Sequence, residues 1–393
     1  MAASGPSPHA IPTLLVMPFE NRSKVAGLDW LSEACSEVLA QRMESPRLYI
    51  LDRAERVHAF DHAGVPAAAR PTRATVFRVA EQMGADYVVL GSYEVSGERF
   101  QSVTQLLEVK NLKLHPEIKS SGPLAEFVTL QTSMAWTLLH EMPNPPQISE
   151  QQFVKNASPI RLDAFENYVR GVVSTSWPQK IRYLKEALRL NPGYAAAAFE
   201  LGKVYYDSHD YEQAVIWLAK VPKDDGSAGE ATFLVAMSEY NRGNLDRSYG
   251  AFNALLARLP LTEVYNNLGV VDGRRGRRAQ ATEFFSKAVA ADPSDADYRF
   301  NLALAFFKSG DNAGAARHLR AELQLRPNDA EAKSLLDMIN RGVTFSSATA
   351  GASAGTSSPI RIPIERIKRT YDEAGYRQLE LQINNLKQQT VSR

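Results

Sequence analysis

The sequence predicts two folds in one chain: an α/β domain with a mixed sheet and covering helices, followed by an all-α solenoid of helical hairpins. Two observations predict them. Short apolar runs alternate with amphipathic helical patterns over residues 11–143, and glycines and prolines recur every 33 or 34 residues within residues 161–342. Alternating strands and helices are typical of an α/β domain, whereas a fixed period of this length indicates stacked repeats.

Composition narrows the classes of function. The chain has 393 residues, which indicates more than one domain, and its 45 Lys and Arg balance 44 Asp and Glu. This balance argues against a dedicated nucleic-acid binder, because no overall positive field attracts phosphate. Cys35 is the single cysteine, so an internal disulfide and a multi-cysteine zinc site are excluded. No apolar run approaches the roughly 18–20 residues that span a bilayer, so no integral membrane segment is expected.

Residues 1–10 are predicted to be a flexible terminus. As written they are not an export signal, since they lack its basic start and apolar stretch. A leader peptide trimmed from upstream would place the protein in the periplasm or envelope. Without such a leader, the expected compartment is the cytoplasm.

The α/β domain is predicted to span residues 11–143. Its expected elements are a strand at Thr13–Met17, a helix at 28–43, a strand at Leu48–Leu51, a polar helical stretch, a helix at 73–83, a strand at Tyr87–Tyr93, return strands near 100–109 and 114–119, and a final helix from Pro123 through Met142. The strands are apolar runs bounded by turn residues, and the helices carry apolar faces. Cys35 lies on such a face and is predicted to be a core residue, not a nucleophile.

Three segments of this domain resemble the amino-terminal domain of TolB-like proteins. They are Leu15–Ser23, Leu51–Arg53 and Gly84–Tyr93, and they occur in the family's order. The resemblance implies a protein-interaction module of the bacterial cell envelope or of signalling proteins. It transfers no catalytic residue.

The repeats in the second half are marked by residues at fixed offsets. Gly243, Gly276 and Gly310 are followed in step by Pro260, Pro293 and Pro327. Small residues stand seven before and five after each glycine, and a large apolar residue stands nine after it. The small residues are Ala236, Gly269, Ala303, Ser248, Ala281 and Ala315, and the large ones are Phe252, Phe285 and Leu319. We expect the small residues to let paired helices approach closely and the large ones to fill the contact with the neighbouring hairpin.

This pattern resembles the tetratricopeptide repeat, whose period is about 34 residues. The match is strongest at residues 262–295, an earlier copy at 195–222 has a shortened second helix, and a degenerate copy spans 162–192. Five hairpins and a capping helix at 330–341 are therefore predicted. In this family the first helix of each hairpin lines a groove that binds protein or peptide partners.

The resemblance assigns that groove residue by residue. The expected partner-binding residues are Phe199, Lys203, Tyr206, Phe233, Met237, Tyr240, Asn241, Asn266, Val270, Arg274, Phe300, Asn301, Leu304, Phe307 and Lys308. Aromatic and Met side chains offer contact area, while Asn and Lys or Arg can hold a peptide backbone or a carboxylate. The family's full carboxylate clamp is absent, so an extended or helical segment is expected as ligand, without capture of a chain end. The alternative for each aromatic is packing within the repeats or against the C-terminal segment.

Linkers and a C-terminal segment complete the organisation. Residues 144–160 and the Ser/Ala/Gly-rich stretch 343–358 are predicted to be linkers, the second flexible. Residues 359–393 are predicted to form a basic amphipathic helix, because Ile364, Ile367 and Tyr371 recur at helical spacing. Three uses stay open for this helix: packing on the repeats or self-association, binding a partner, and touching a membrane.

The sequence gives only weak signals for a metal-binding, phosphate-binding or catalytic site. His58 and His62 stand four apart, but further metal ligands are not signalled, so surface histidines are favoured over a metal site. The arginines at 274, 275, 277 and 278 indicate a solvated turn. With no nucleophile or phosphate-loop motif, no catalytic residue and no cofactor are predicted. The sequence favours a non-enzymatic scaffold or adaptor in an envelope or signalling assembly. The alternative is a ligand-binding or enzymatic role of the α/β domain.

Overall fold

The computed structural model describes residues 11–23, 25–65, 71–345 and 362–373. The chain divides into two compact units, residues 1–194 and 195–393. The predicted flexible terminus, most of the predicted tether and the end of the predicted C-terminal helix lie outside the described residues. Within the described ranges, no helix is both long and apolar enough to cross a membrane.

The first unit begins with the predicted α/β domain. Its described strands are β1 (Thr13–Val16), β2 (Glu20–Asn21), β3 (Tyr49–Leu51), β4 (Tyr87–Ser96), β5 (Arg99–Glu108), β6 (Lys113–Leu114) and β7 (Ile118–Pro123). Its described helices are α1 (Trp30–Met43), α2 (Arg53–His62), α3 (Arg73–Gln82) and α4 (Phe127–His140), the last preceded by a 3₁₀ turn at Leu124–Glu126. The sequence predicted one return strand near 114–119, which the structure divides into β6 and β7, and it did not predict the short β2.

The sheet is mixed, as predicted. Its order is β3–β1–β4–β5–β6, with β2 beside β4 and β7 beside β5. β1 runs parallel to both β3 and β4, whereas β5 runs antiparallel to β4 and β7. The parallel pairs are those joined by helices, because a parallel connection needs a long crossover, while the antiparallel pair β4–β5 is joined by a tight hairpin at Gly97.

Each face of the sheet buries its own pair of helices. On one face, Leu15 and Val88 pack against Phe60 of α2 and Val79 of α3. On the other face, side chains from α1, β5 and α4 form an aromatic cluster, in which the ring centroids of Phe100 and Phe127 lie 5.1 Å apart. This separation follows from the alternation of side chains along β4 and β5. Cys35 is fully buried, which confirms its prediction as a core residue, and burial raises its thiol pKa well above the usual value.

A hairpin of helices also belongs to the first unit. The stretch 144–160 was predicted to be a linker, but it contains α5 (Glu150–Asn156), which begins at a Ser149 cap. The following helices α6 (Leu162–Val173) and α7 (Trp177–Leu190) form the predicted first hairpin. The Phe165 ring stacks on Phe127 of α4 at 6.5 Å, so this hairpin packs on the α/β domain.

The second unit contains the other four predicted hairpins and the predicted capping helix. Its described helices are α8 (Ala195–Asp207), α9 (Tyr211–Leu218), α10 (Ala228–Asn241), α11 (Leu245–Leu256), α12 (Thr262–Arg274), α13 (Arg278–Ala291), α14 (Ala296–Lys308), α15 (Asn312–Leu325) and α16 (Ala330–Asn340). The predicted shortening of the second helix at 211–222 is confirmed, since α9 has 8 residues where α13 has 14.

The predicted close approach of paired helices is present. A β-carbon on Gly269 of α12 would lie 2.6 Å from the Phe285 ring of α13, and one on Gly202 would lie 2.5 Å from Leu218. Phe285 therefore fills the contact within its own hairpin, in addition to the predicted contact with the next hairpin through Leu302. The turn glycines Gly243, Gly276 and Gly310 have φ between 76° and 87°, a conformation that other residues adopt at a cost.

The tight contact at Gly269 yields a stability prediction. We expect Gly269→Ala to destabilise the repeats by about 1–3 kcal/mol, because the buried Phe285 ring has no room to retreat. Gly250→Ala is the matched control: Gly250 is exposed within α11 with open space around it, so alanine should stabilise by about 0.5–1 kcal/mol. Urea unfolding followed by circular dichroism measures both. Equal effects of the two substitutions would contradict the packing argument.

Candidate functional site

The described tail segment, residues 362–373, lies along the first helices α10, α12 and α14 of three consecutive hairpins. We call the surface that it covers the groove. Residues 362–372 form no helix. The predicted helix at 359–393 is therefore wrong for residues 362–372. The physical reason is that side chains of the groove, not neighbouring turns of a helix, take up the backbone groups of this segment.

One asparagine of α14 holds the backbone of Arg366 on both sides. The N–H of Arg366 donates to Oδ1 of Asn301 at 2.7 Å, and Nδ2 of Asn301 donates to the carbonyl oxygen of Arg366 at 2.7 Å. Asn266 of α12 donates to the same carbonyl at 2.9 Å. A carboxamide carries both a donor and an acceptor, so one side chain can imitate a neighbouring strand.

The same arrangement repeats two residues later. The N–H of Lys368 donates to Oδ1 of Asn267 at 2.8 Å, and Nδ2 of Asn267 donates to the carbonyl oxygen of Lys368 at 2.8 Å. Asn267 and Asn301 are both fully buried. The spacing of two matches an extended chain, in which alternate residues face the same side.

Apolar side chains of the tail segment enter the repeats on either side of these amides. Ile367 packs against the cluster that contains Val270, with Tyr240 beside it. The ring of Tyr371 lies 5.5 Å from Phe233, and its hydroxyl occupies the space that a β-carbon on Gly229 would take. Glycine at position 229 therefore admits the tyrosine.

Charged side chains of the tail segment meet groove residues of opposite sign. Nζ of Lys308 lies 2.6 Å from the carboxylate of Glu365. The Arg366 guanidinium lies 2.7 Å from Asp329, and Nζ of Lys368 lies 2.7 Å from Asp295. The segment is thus held by backbone, apolar and ionic contacts.

The sequence-assigned groove residues divide by position. Those that bond or pack with the tail segment, directly or through a shared apolar cluster, are Phe233, Tyr240, Asn266, Val270, Phe300, Asn301, Leu304, Phe307 and Lys308. Met237 is buried beneath Asn267 and accepts from its amide at 3.7 Å. Asn241 donates to the Met237 carbonyl in its own helix, and the Arg274 guanidinium lies over the Tyr240 ring.

Phe199, Lys203 and Tyr206 lie on α8, one hairpin earlier. Nζ of Lys203 lies over the Phe199 ring and pairs with Glu230 at 3.4 Å. Burial raises the pKa of Tyr206, and the nearby charge of Arg369 opposes that shift.

Several contact residues were missed by the sequence assignment. They are Gly229, Glu263, Asn267, Asp295, Asp297, Tyr298, Asp329 and Glu331. The pair Asn266-Asn267 was a usable signal, because two consecutive amides between the apolar residues Val264 and Leu268 have to find partners. The acidic residues are dispersed between α14 and the start of α16, and no local pattern joins them.

A second cleft lies in the first unit. Its volume is about 930 Å³, and it is lined by the segment after β1 and by α2, among other elements. Arg56 and Glu33 form a buried ion pair at its floor, where Arg56 also donates to the Val16 carbonyl at 2.8 Å. These charged groups satisfy one another. His58 and His62 touch edge to face, and among the described residues no three His, Cys, Asp or Glu side chains are arranged to hold a metal ion.

Among the carboxyl groups at the groove, Asp297 and Glu322 have large pKa shifts. Burial alone would raise the pKa of Asp297, but hydrogen bonds from Lys368 and Arg326 outweigh it and hold the pKa at about 2. Glu322 on α15 is fully buried, and burial together with the charge of Asp329 raises its pKa to about 7, against the opposing pull of Arg366 and Arg326.

The shifted pKa of Glu322 makes stability depend on pH. Its folded pKa of about 7 exceeds the usual 4.5, so the folded state favours the neutral acid and loses stability as the pH rises through that window. We expect Glu322→Gln to raise the melting temperature at about pH 8 and to change it little at about pH 5. Calorimetry at the two pH values measures this, with the exposed Glu212→Gln as control. A uniform shift at both pH values would contradict the assignment.

Comparison with known proteins identifies the repeats. Sequence profiles of the tetratricopeptide repeat family match residues 181–232 and 266–330. MamA from Desulfovibrio magneticus RS-1 is 23% identical, with 40% of this chain and 89% of that chain covered and a TM-score of 0.37. YrrB, described as a TPR protein with an unusual peptide-binding site, is 15% identical, with 49% and 97% covered and a TM-score of 0.40.

The C-terminal domain of LpoB from Salmonella enterica is 20% identical, with 29% of this chain and 84% of that chain covered and a TM-score of 0.25. A comparison with curated protein sequences gives no match. Tetratricopeptide repeats use their helical surface to bind other proteins. The stacked helical hairpins of this chain thus carry tetratricopeptide repeats at residues 181–232 and 266–330.

Proposed function

We propose that this protein is a non-enzymatic adaptor whose repeats hold an extended segment of a partner protein in the groove. The observation that carries the proposal is the double backbone clamp: Asn301 and Asn267 each bond the N–H and the carbonyl of one residue of an extended chain. Because these contacts involve backbone groups, they can hold any extended segment of suitable side chains.

In this proposal the tail segment shows how a partner segment binds in the groove, and it also competes with that partner for the groove. Being part of the same chain, it meets the groove at a high effective concentration, so a partner has to displace it. The groove residues that contact the tail segment are then the partner-binding residues. The sequence-assigned residues on α8 extend that surface beyond the clamp.

The α/β domain enters the proposal as a second recognition module of an envelope or signalling assembly. Its three TolB-like segments support this role. Fractionation of the native cells tests the proposed location in an envelope or signalling assembly. We expect the protein to be recovered with the envelope or the periplasm. Recovery in the cytosol without association with a signalling complex would contradict the proposal.

The backbone clamp can be tested with a synthetic peptide of residues 362–373. The full chain carrying Arg366→Glu and Lys368→Glu supplies an open groove, because the reversed charges face Asp297 and Asp295. We expect the peptide to bind this chain. N-methylation of the peptide at Arg366 and Lys368 should weaken binding about tenfold or more, since two hydrogen bonds are lost.

Two controls isolate the clamp. N-methylation at the exposed Thr370 should change the affinity by less than about twofold, since it removes no clamped N–H. On the protein side, Asn267→Ala with Asn301→Ala should weaken binding, whereas Asn253→Ala on the exposed side of α11 should not. If the doubly N-methylated peptide binds as well as the unmodified one, the clamp is not the basis of recognition.

A further inference from the structure

The side chain of Arg366 is enclosed more completely than a backbone clamp requires. Its guanidinium carbon lies 3.6 Å from the centroid of the Phe300 ring. Nη2 lies 2.7 Å from Asp329 and 3.2 Å from Glu331, while Nη1 lies 3.2 Å from Asp297. The guanidinium thus stacks on an aromatic ring and contacts carboxylates through both of its terminal nitrogens.

Lys368 occupies a neighbouring site of the same kind. Nζ lies 2.7 Å from Asp295 and 2.8 Å from Asp297, and 5.0 Å from the centroid of the Tyr298 ring. Asp297 therefore bridges the two cations, one through each oxygen. Because Arg366 and Lys368 are two apart in an extended chain, both side chains point to the same side of it.

The carboxylates outnumber the cations that the repeats themselves supply. Asp295, Asp297, Asp329 and Glu331 face the tail segment, and among the described groove residues Arg326 is the cation bonded to them, at 2.7 Å from Asp297. Like charges packed this closely repel one another. The two cations of the occupant therefore offset most of the negative charge of these carboxylates.

The geometry distinguishes arginine from lysine at the first position. A planar guanidinium can stack on Phe300 while donating along one edge to Asp297 and along another to Asp329 and Glu331. An ammonium is a compact point charge, so it cannot lie flat against the Phe300 ring and still reach carboxylates on two separate sides. At the position of Lys368, the contacts are Asp295, Asp297 and the more distant Tyr298 ring. A compact ammonium can make all of them.

We propose that the groove selects its partner by sequence: it takes an extended segment that carries an arginine two residues before a lysine. The flanking contacts complete the pattern, since Lys308 pairs with an acid directly before the arginine and the Val270 cluster takes an apolar residue directly after it. The ligand is thus a segment of the form acid, arginine, apolar, lysine, and it binds by replacing the tail segment. This inference rests on the proposed function and adds specificity to it.

The test uses the full chain with Arg366→Glu and Lys368→Glu and a fluorescent peptide of residues 362–373. In the peptide, Arg366→Lys should weaken binding about tenfold or more, because charge-assisted bonds and stacking are lost while the charge is kept. Arg369→Lys is the matched control and should change binding by less than about twofold, since Arg369 is exposed.

A cycle of substitutions assigns the effect to the pocket. With Asp329→Asn in the protein, the preference for arginine over lysine should shrink, whereas Asp246→Asn, on the exposed start of α11, should leave it unchanged. If the Arg366→Lys peptide binds within about twofold of the original, the inference fails while the backbone clamp stands. If no version of the peptide binds, the proposed function fails first.

A further outcome would reassign the occupant. Self-association of the unaltered chain that increases with concentration and disappears with Arg366→Glu would show that the groove takes the tail segment of a second copy. That result would overturn the assignment to a different partner protein. A monomer at all concentrations, together with the expected peptide preference, supports it.

Discussion

Paired helices in the repeats lie so close together that a large side chain of the second helix occupies the space of a missing β-carbon on the first. Leu218 does this at Gly202 and Phe285 does it at Gly269. This contact fixes the separation and rotation of the two helices in a hairpin, and stacking of hairpins then fixes which residues the first helices present. The inward orientation of Asn266, Asn267 and Asn301 depends on it, and so does the groove.

Buried amides on such a surface impose a second constraint. A carboxamide removed from water without partners destabilises the fold, so the asparagines need a chain to bond. The tail segment satisfies them and is in turn satisfied by them. The backbone of the tail segment could have formed the hydrogen bonds of a helix. The buried asparagines would then have had no hydrogen-bond partner in the tail segment. The non-helical conformation of residues 362–372 is therefore a property of the groove as much as of the segment.

The parts of the fold that the sequence predicts are those encoded by residues close together in the chain. Gly276 and Pro293 mark a turn and a helix end by their own backbone restrictions. The apolar run of β4 and the alternating residues of β5 meet in one hairpin. The short polar helix α5 has no apolar period and was taken for a linker. The apolar spacing of Ile364, Ile367 and Tyr371 does fit a helix, yet partners far away in sequence decide the conformation.

The candidate site shows the same division. Resemblance to the repeat family placed Asn301 and Phe300 on the groove, because equivalent positions of successive repeats lie on the same surface. It missed Asn267, which bonds a residue 101 positions away, and Asp329, which belongs to a turn and not to a first helix. An acidic pocket assembled from a helix and a distant turn has no signature in the sequence. Only the folded chain brings those carboxylates together.

In the proposed function, charge favours an exchange of occupants over an empty groove. Removing the tail segment would leave Asp295, Asp297, Asp329 and Glu331 facing Arg326. The carboxylate of Asp297 accepts hydrogen bonds from Arg326 and Lys368, which lower its pKa, and Lys368 belongs to the tail segment and not to the repeats. An incoming segment with its own arginine and lysine restores these pairs as it enters, whereas a neutral segment does not. The energy that keeps the tail segment in place is thus the same energy that discriminates among its replacements, so retention and selectivity arise from one set of contacts.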